Sequence, residues 1–163
     1  MPVPAYMWMK DDAGSNIEGS VVVKGREGSI EVLAFRHEVL IPTDPHTGKL
    51  AGVRRHEALI ITKAFDKSSP YLFKACTTGQ TLKSVEIKWY EIDAKGKEVE
   101  YFNHLLENVK IVSVKPFMPN TKDPAFDRLV HMEEVSFRYE KITWTHVEGT
   151  IQYMDSWAET RSA

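Results

Sequence analysis

Alternation of apolar and polar side chains is the feature that most limits how this chain can fold. In residues 84–90, Val85, Ile87 and Trp89 alternate with charged or polar residues, and residues 134–139 repeat the pattern. A period of two is the repeat of a β-strand with one buried face. These two segments therefore predict strands that each place one face on a core.

The rest of the chain supplies enough further strands for a mainly β fold. Other segments with strand character are residues 5–9, 19–23, 29–39, 58–62, 98–105, 108–114 and 142–145. Short polar turns join them, and Gly96 suits a tight turn at residues 93–96 because glycine adopts a positive φ easily. The alternation changes phase between Tyr139 and Ile142, which predicts a kink near Glu140. Such a succession predicts an antiparallel β-barrel or a sandwich of two sheets.

One segment predicts a short α-helix. Ser69 is a suitable cap, Pro70 suits the first helical position, and Gly79 can end the helix in the left-handed conformation. A helix of about nine residues is marginal alone in water and must dock on the strands. We expect it to cover one end or one side of the barrel.

Residues 42–56 predict an extended loop or protruding hairpin. They contain two prolines, two glycines and almost no large apolar side chain. Loops longer than about 12 to 15 residues are uncommon in compact domains and tend to be functional. A surface insertion without a function is the alternative.

Length and charge restrict the class of protein. The chain has 163 residues, which fits a single domain over residues 1–163. Its net charge of −2 provides no basic surface for nucleic acid or an anionic membrane. Cys76 is the only cysteine, so no intrachain disulfide is expected. The first ten residues contain no basic leader followed by a long apolar stretch, so no cleaved signal peptide is expected. No apolar stretch approaches the length that a membrane-spanning helix needs. We therefore expect a protein made in the cytoplasm.

A search for catalytic, metal and cofactor motifs finds none. His37 and His56 are each followed by Glu, but Ile41 and Ile60 occupy the position where a zinc-protease motif needs its second histidine. Cys76 lies inside the predicted helix, away from an activating amino-terminal end. The sequence therefore predicts no catalytic, cofactor-binding or metal-binding residue, and the chain is not expected to be an enzyme.

The four tryptophans divide into two pairs. Trp89 and Trp144 fall at alternating strand positions and are predicted to lie in the core. Trp8 and Trp157 lie near the ends of the chain. Contact with a neighbouring chain and packing within the subunit are both open for this second pair.

Several segments, in the same order, resemble one known family. Residues 65–79 resemble the helix segment of the haemolysin-coregulated proteins of bacterial type VI secretion systems. Residues 28–35 resemble that family's early strand, and residues 41–49 resemble its extended loop. The resemblance continues through residues 85–90, 139–144 and 155–157, so it covers essentially the whole chain.

The resemblance implies a structural role. It implies hexameric rings that stack into the inner tube of the secretion machine, which carries effectors in its lumen, meets a spike protein of the VgrG type and lies inside a contractile sheath. Export then occurs without a cleaved signal peptide. Candidates for ring stacking are the polar residues of the extended loop, Asp44, His46, Lys49 and Arg54. Arg36 is the lumen candidate, since it follows Phe35 where one branch of the family has a serine that retains cargo.

Two other functions remain as alternatives. The first is a monomeric soluble β-barrel that binds a small ligand or carbohydrate. The second is an enzyme, which a bound metal or a hydrolytic activity would support. The mass of the particle in solution separates the ring from the monomeric binding module.

Overall fold

Antiparallel strands dominate residues 3–157, which are the residues that the computed structural model describes. This range holds eleven strands and one α-helix. The elements are β1 Ala5–Lys10, β2 Asn16–Ile17, β3 Ile30–Val32, β4 Ala34–Arg36, β5 Val39–Leu40, β6 Arg55–His56, β7 Leu59–Ala64, α1 Ser69–Thr78, β8 Thr81–Ile92, β9 Glu98–Phe117, β10 Met132–His146 and β11 Ile151–Ser156. The predicted fold class, mainly β with one short helix, is confirmed.

Nine of these strands form one sheet around a single core. The order is β2-β1-β8-β9-β10-β7-β4, with β3 also paired to β1 and β11 also paired to β10. Residues of β1, β7, β8, β9, β10 and α1 share one hydrophobic cluster, so the sheet folds over itself like a sandwich. Within the described range the end strands β2 and β4 do not pair with each other, so hydrogen bonds do not close a barrel. That residues 1–163 form one domain stays a prediction.

The predicted alternation decides which side chains enter the core. Val85 and Ile87 on β8 and Val135 and Phe137 on β10 are fully buried. Trp89 is half-buried and packs against the same cluster. The apolar phase of each strand therefore faces inward, as a period of two requires.

In the neighbouring strands β8, β9 and β10, the alternation of buried and exposed side chains shifts by one residue at the level of Asn108. Leu106 and Val109 are both buried, and so are Tyr139 and Ile142 on the neighbouring strand, which places the change where the sequence predicts a kink. Asn108 has φ 52°, a left-handed conformation that asparagine tolerates better than most residues. Its side-chain amide donates to the carboxylate of Glu140 at 2.8 Å.

Two predicted strand boundaries are wrong because of this bend. Residues 98–105 and 108–114 were predicted as separate strands, but the hydrogen bonds continue through both as β9. Residues 134–139 and 142–145 likewise belong to one strand, β10. A change of burial phase looks like a strand end in the sequence although the backbone ladder continues. A separate register shift between β9 and β10 lies at Ser136 and Phe137.

Residues 19–23 do not form the predicted strand. Their segment folds back on the residues that follow, with the amide of Val21 donating to the carbonyl of Ser29 at 3.3 Å. A Cβ on Gly19 would lie 2.4 Å from that same carbonyl oxygen, so only glycine allows this close approach. Val22 is 88% exposed, so its apolar character does not mark a buried face.

Residues 29–39 form three short strands where one was predicted. β3 pairs with β1, β4 pairs with β7, and β5 pairs with β6. Each change of partner interrupts the strand. The chain therefore crosses from one part of the sheet to another and leads into the extended loop.

The predicted helix is present, with one error at its start. The cap position is Ser68, not Ser69, and the hydroxyl of Ser69 instead donates to Glu133 at 2.7 Å. Gly79 ends the helix with φ 69°, as predicted. Leu72 and Ala75 are buried against the strands, so packing on the sheet stabilises the helix.

Candidate assembly surfaces

The predicted extended loop is a protruding hairpin. Its base is the pair β5 and β6, and a further bridge joins Thr43 to Leu50. The amide of Ala51 donates to the carbonyl of Pro42 at 2.8 Å, which holds the two arms together. Leu50 and Val53 are 55% and 63% exposed. We call residues 42–53 the hairpin tip.

The polar candidates at the hairpin tip have different surroundings. Asp44 shapes the turn, since its carboxylate accepts from the amides of His46 at 2.7 Å and Thr47 at 3.4 Å. His46 and Lys49 are exposed. Asp44 and Arg54, the other two stacking candidates, are partly buried. The role of all four in stacking stays a prediction.

Arg54 belongs to the base of the hairpin. Its Nε donates to the Asp155 carboxylate at 2.5 Å, and its Nη2 donates to the carbonyl of Ser156 at 2.8 Å. Its side chain is only 18% exposed. Arg54 therefore joins the hairpin to β11 within the subunit, a role that the sequence did not reveal.

A buried chain of polar side chains continues from Asp155 into the subunit. His56 lies 2.7 Å from the Asp155 carboxylate through Nε2 and 2.6 Å from the Tyr139 hydroxyl through Nδ1. The same hydroxyl lies 2.8 Å from Nε2 of His37. A carboxylate only accepts, so His56 donates to Asp155, and its neutral form accepts from Tyr139. The hydroxyl oxygen then accepts from His37.

Burial shifts the pKa values of two of these hydrogen-bonded side chains. It lowers the pKa of His37 to about 4, and the nearby His56 adds to the shift. It also raises the pKa of Tyr139, with Asp155 acting in the same direction. A neutral His37 and an un-ionised Tyr139 fit the hydrogen bonds described above. These hydrogen-bonded side chains therefore fix the base of the hairpin.

A second buried cluster fixes the start of α1. The ammonium group of Lys63 forms an ion pair with Glu133, and both side chains are completely buried. Lys63 also lies 2.9 Å from the Asp66 carboxylate. Buried charges require partners of this kind, and their loss is costly. This cluster connects β7, β10 and the helix, and its position explains why Ser69 bonds to Glu133.

Arg36, the lumen candidate, lies on the outer face of β4. Its side chain is 73% exposed, and its guanidinium lies 4.0 Å from Glu134 on β10. Phe35 points the other way and packs edge-on against Trp89, with ring centres 4.9 Å apart. The alternation of this short strand thus separates a core aromatic from an exposed cation.

The terminal tryptophans are not in the main core. Trp8 is half-buried on the outer face of β1, where the ammonium group of Lys88 lies 4.7 Å from the centre of its ring. Trp157 is 45% exposed, and its ring centre lies 5.1 Å from that of His56. Both keep enough exposed surface to meet a neighbour, and that role stays a prediction. Trp89 and Trp144 are half-buried and pack against the core cluster, as predicted.

Sequence reasoning missed an apolar cavity in the connection between β9 and β10. The cavity has a volume of about 300 Å³ and is formed mainly by Met118, Phe126, Leu129 and Val130, which are all 40% exposed or more. Residues 118–131 form a loop as long as the one that the prolines and glycines revealed. Because long loops in compact domains tend to be functional, the length of this second loop could have identified it as a candidate site.

A second apolar region lies beside it on the surface. Val22, Val23, Leu33 and Phe65 are exposed around a groove of about 310 Å³. Phe65 also contacts His131, with ring centres 6.1 Å apart, so the groove and the cavity are neighbours. Contiguous exposed apolar regions are candidates for surfaces that meet another molecule.

Neither a metal-binding cluster nor a membrane-spanning helix occurs in the described part of the chain. Residues 3–157 contain no group of three or more His, Cys, Asp or Glu side chains placed to hold a metal ion. None of the helices in that range is both long enough and apolar enough to span a membrane.

Comparison with known proteins identifies the family. The family model described as "Type VI secretion system effector, Hcp" matches residues 6–146, which is most of the chain. The chain belongs to the Hcp family. A curated relative, the "Major exported protein" of Pseudomonas aeruginosa strain PAO1, is 41% identical over 166 residues and 96% of each chain is covered.

Solved Hcp structures have the same fold. A mutant of the Hcp1 protein from the E. coli EAEC 042 pathovar is 55% identical and superimposes with a TM-score of 0.86, covering 96% of this chain and 99% of that one. Secreted protein Hcp3 from Pseudomonas aeruginosa is 34% identical, with a TM-score of 0.79 and coverage of 97% and 100%. The resemblance seen in the sequence is therefore confirmed, and this Hcp chain is a type VI secretion protein.

Proposed function

We propose that this Hcp chain is the structural subunit of a type VI secretion inner tube. In this proposal six copies close into a ring, rings stack into a tube, and the tube carries effectors in its lumen. It meets a VgrG-type spike and lies inside a contractile sheath. The chain is made in the cytoplasm and leaves the cell with the tube, without a cleaved signal peptide. It has no catalytic role.

The observation that carries the proposal is the family match together with the exposed apolar surface. A subunit that folds around its own core and still exposes Val22, Phe65, Leu129 and Val130 has surface left for another molecule. Monomeric soluble proteins rarely leave large apolar regions uncovered. A ring of identical subunits covers such regions by head-to-tail contacts that close.

Stacking of rings needs a different contact. It repeats along an axis without closing, so each subunit must present one surface upward and a complementary surface downward. The hairpin tip protrudes from the subunit and is suited to reach the next ring. If each tip contributes about 1 kcal/mol through exposed polar contacts, six copies provide roughly 6 kcal/mol.

That magnitude predicts reversible stacking. Micromolar affinity corresponds to about 8.2 kcal/mol, so polar contacts alone would form tubes only at high local concentration or on a nucleus. The spike is a suitable nucleus in this proposal. Long tubes of purified protein at nanomolar concentration would show that stacking is stronger than exposed ion pairs can make it.

Arg36 defines the chemistry of the proposed lumen. Its exposed guanidinium lies 4.0 Å from the carboxylate of Glu134 and is planar with several donors. Six copies would place a ring of cations inside the tube. Cargo with carboxylates on its surface fits this lining better than cargo selected by a serine hydroxyl.

Light scattering after size-exclusion chromatography tests the proposal. A particle six times the mass of one chain is the expected result. The alternative, a monomeric β-barrel that binds a small ligand, predicts the mass of a single chain at every concentration, and that result would refute the ring.

A further inference from the structure

We propose that the hydrogen-bonded side chains at the base of the hairpin form a switch, which holds the hairpin against β10 and β11 at neutral pH and releases it in acid. The part released is residues 39–56, and the hinges are residues 37–38 and 57–58. This inference concerns a single subunit. It therefore goes beyond the proposed function and does not depend on whether rings form.

Side chains attach the hairpin to β10 and β11. The strands β5 and β6 form a two-stranded sheet of their own, separate from the nine-stranded sheet. Arg54 and His56 both bond to Asp155 on β11. His56 also bonds to the hydroxyl of Tyr139 on β10, and the guanidinium of Arg138 donates to the carbonyl of His56 at 2.7 Å. The strength of the attachment therefore depends on the chemistry of these side chains.

The two arms of the hairpin can bend where they leave the nine-stranded sheet. The pairing of β4 with β7 ends below residues 37–38 and 57–58, and the pairing of β5 with β6 begins above them. At this level the amide of Glu57 donates to the carbonyl of Glu38 at 3.0 Å, so the arms move together. A few residues at the ends of strands can absorb the changes in φ and ψ of a hinge. The hairpin can therefore swing while β4 and β7 stay paired.

The hydrogen bonds at the base leave little room for added protons. The Tyr139 hydroxyl lies between two imidazoles, 2.6 Å from Nδ1 of His56 and 2.8 Å from Nε2 of His37. A protonated imidazole is a donor at both nitrogens. When both histidines are protonated, two N–H groups point at one hydroxyl oxygen, and the hydroxyl proton has no acceptor on either ring. The docked base therefore loses a hydrogen bond when it takes up both protons.

The charges around the two imidazoles also oppose protonation. Asp155 is 4% exposed and is the carboxylate bonded to His56, but two guanidinium groups, those of Arg54 and Arg138, lie at the same base. Positive charge nearby disfavours a further cation. Taken by element, the titratable and charged groups that face the two histidines are Arg54, Arg55 and Glu57 on the hairpin base, His104 on β9, Arg138 and Tyr139 on β10, and Asp155 on β11. Arg55 and Glu57 pair with each other at 2.9 Å.

The direction of the pH effect follows from the burial of His37. Burial lowers its pKa to about 4 in the docked hairpin, and the nearby His56 adds to the shift. A released imidazole in water titrates near 6.5. Between these values the released hairpin binds more protons, so attachment is complete above about pH 6.5 and weakens as the pH falls towards 4. His37 alone changes the ratio of released to docked hairpin by at most roughly tenfold per pH unit.

Distances between two spin labels test the switch. Thr47→Cys at the hairpin tip and Lys95→Cys in the turn between β8 and β9 carry the labels in a Cys76→Ser background, and both positions are exposed. Labelled chains are diluted into an excess of unlabelled protein, so each distance is measured within one subunit. Pulsed electron–electron double resonance gives the distances at pH 7 and at about pH 4.5. We expect one narrow distance at pH 7 and an additional broad population in acid.

His37→Gln separates the switch from a general effect of acid. The amide of glutamine can still donate to the Tyr139 hydroxyl but takes up no proton, so the ratio of released to docked hairpin in acid should fall roughly tenfold. His46→Gln at the exposed tip is the matched control and should respond like the parent. A narrow distance at both pH values would overturn the inference. An equal acid response in the parent and in His37→Gln would overturn it as well.

Tyr139→Phe tests the same base without any change of pH. It removes the hydroxyl between the two imidazoles, so the released population should be present already at pH 7. A hairpin that stays docked in this variant would contradict the inference. The near-ultraviolet circular dichroism of the parent should persist in acid, because the release is local. Its loss together with the change in distance would show that the whole subunit unfolds, and the switch would then be refuted.

Discussion

The base and the tip of the hairpin use polar residues in opposite ways. At the base, Arg54 and His56 are largely buried and bond to Asp155. At the tip, His46 and Lys49 are exposed. Buried polar groups must be paired and therefore determine the fold, whereas exposed ones contribute little to it and are available for assembly. Among the polar residues of the hairpin, we therefore expect those at the tip, and not those at the base, to take part in stacking.

Among these changes, we expect Asp155→Ala at the base of the hairpin to lower the free energy of unfolding most. This change leaves the guanidinium of Arg54 and the imidazole of His56 without their carboxylate, so the free energy of unfolding should fall by about 3–5 kcal/mol. Urea unfolding of the isolated subunit or ring measures it. Asp155→Asn keeps an acceptor and should cost less. A loss below about 1 kcal/mol for the alanine variant would show that the base is not held by this carboxylate.

Acid should next weaken the folded subunit, at the hairpin base through His37 and beside Trp89 through His104. The pKa values of His37 and His104 are both lowered to about 4, mainly by burial, whereas an unfolded histidine titrates near 6.5. Between these values the unfolded chain binds more protons, so stability is complete above about pH 6.5 and is lost as the pH falls towards 4. Each group contributes at most about 1.4 kcal/mol per pH unit, and His37 contributes less because it is partly exposed.

Unfolding at pH 7, 6 and 5 measures this slope. His104→Gln removes one titrating group but keeps an acceptor for the indole N–H of Trp89, which donates to His104 at 2.9 Å. The slope should be shallower in this variant. His46→Gln at the exposed tip is the control and should leave it unchanged. An equal slope in the parent and in His104→Gln would refute the assignment to buried histidines.

The turn at the tip should tolerate change better than the base. Asp44→Ala removes the acceptor for two backbone amides, so we expect a loss of about 1 kcal/mol in the free energy of unfolding. Asp44→Asn keeps the turn and should be nearly neutral. A loss as large as that of Asp155→Ala would contradict the distinction between tip and base.

The smallest effect on the fold is expected for Lys49→Ala. The side chain is exposed, so the free energy of unfolding should change by less than about 0.5 kcal/mol. In the proposed hexameric tube the change would be repeated six times per ring, so tube length, measured by electron microscopy, should decrease. If the variant were less stable but formed tubes of normal length, Lys49 would contribute to the fold of the subunit and not to stacking.

Much of the fold could be predicted from local sequence. The alternation at Val85 and Ile87 and the helix stop at Gly79 depend on neighbouring residues, so a single sequence reveals them. The bend at Asn108 was partly visible as a change of phase near Glu140. That the ladder runs on through the bend depends on pairing between distant strands, which no local pattern encodes.

The base of the hairpin could not be predicted for the same reason. His56 and Asp155 are 99 residues apart in the chain, and nothing near either residue indicates the other. Arg54 was therefore grouped with the exposed tip residues. Arg36 was assigned to the lumen by resemblance. The alternation of β4 agrees with an outward side chain, and its position in a lumen stays a prediction.

Electron microscopy of the purified protein tests the central claim most directly. If this Hcp chain works by assembling with copies of itself, averaged images should show annular particles with six-fold symmetry and an open centre. Compact solitary particles at every concentration would contradict it.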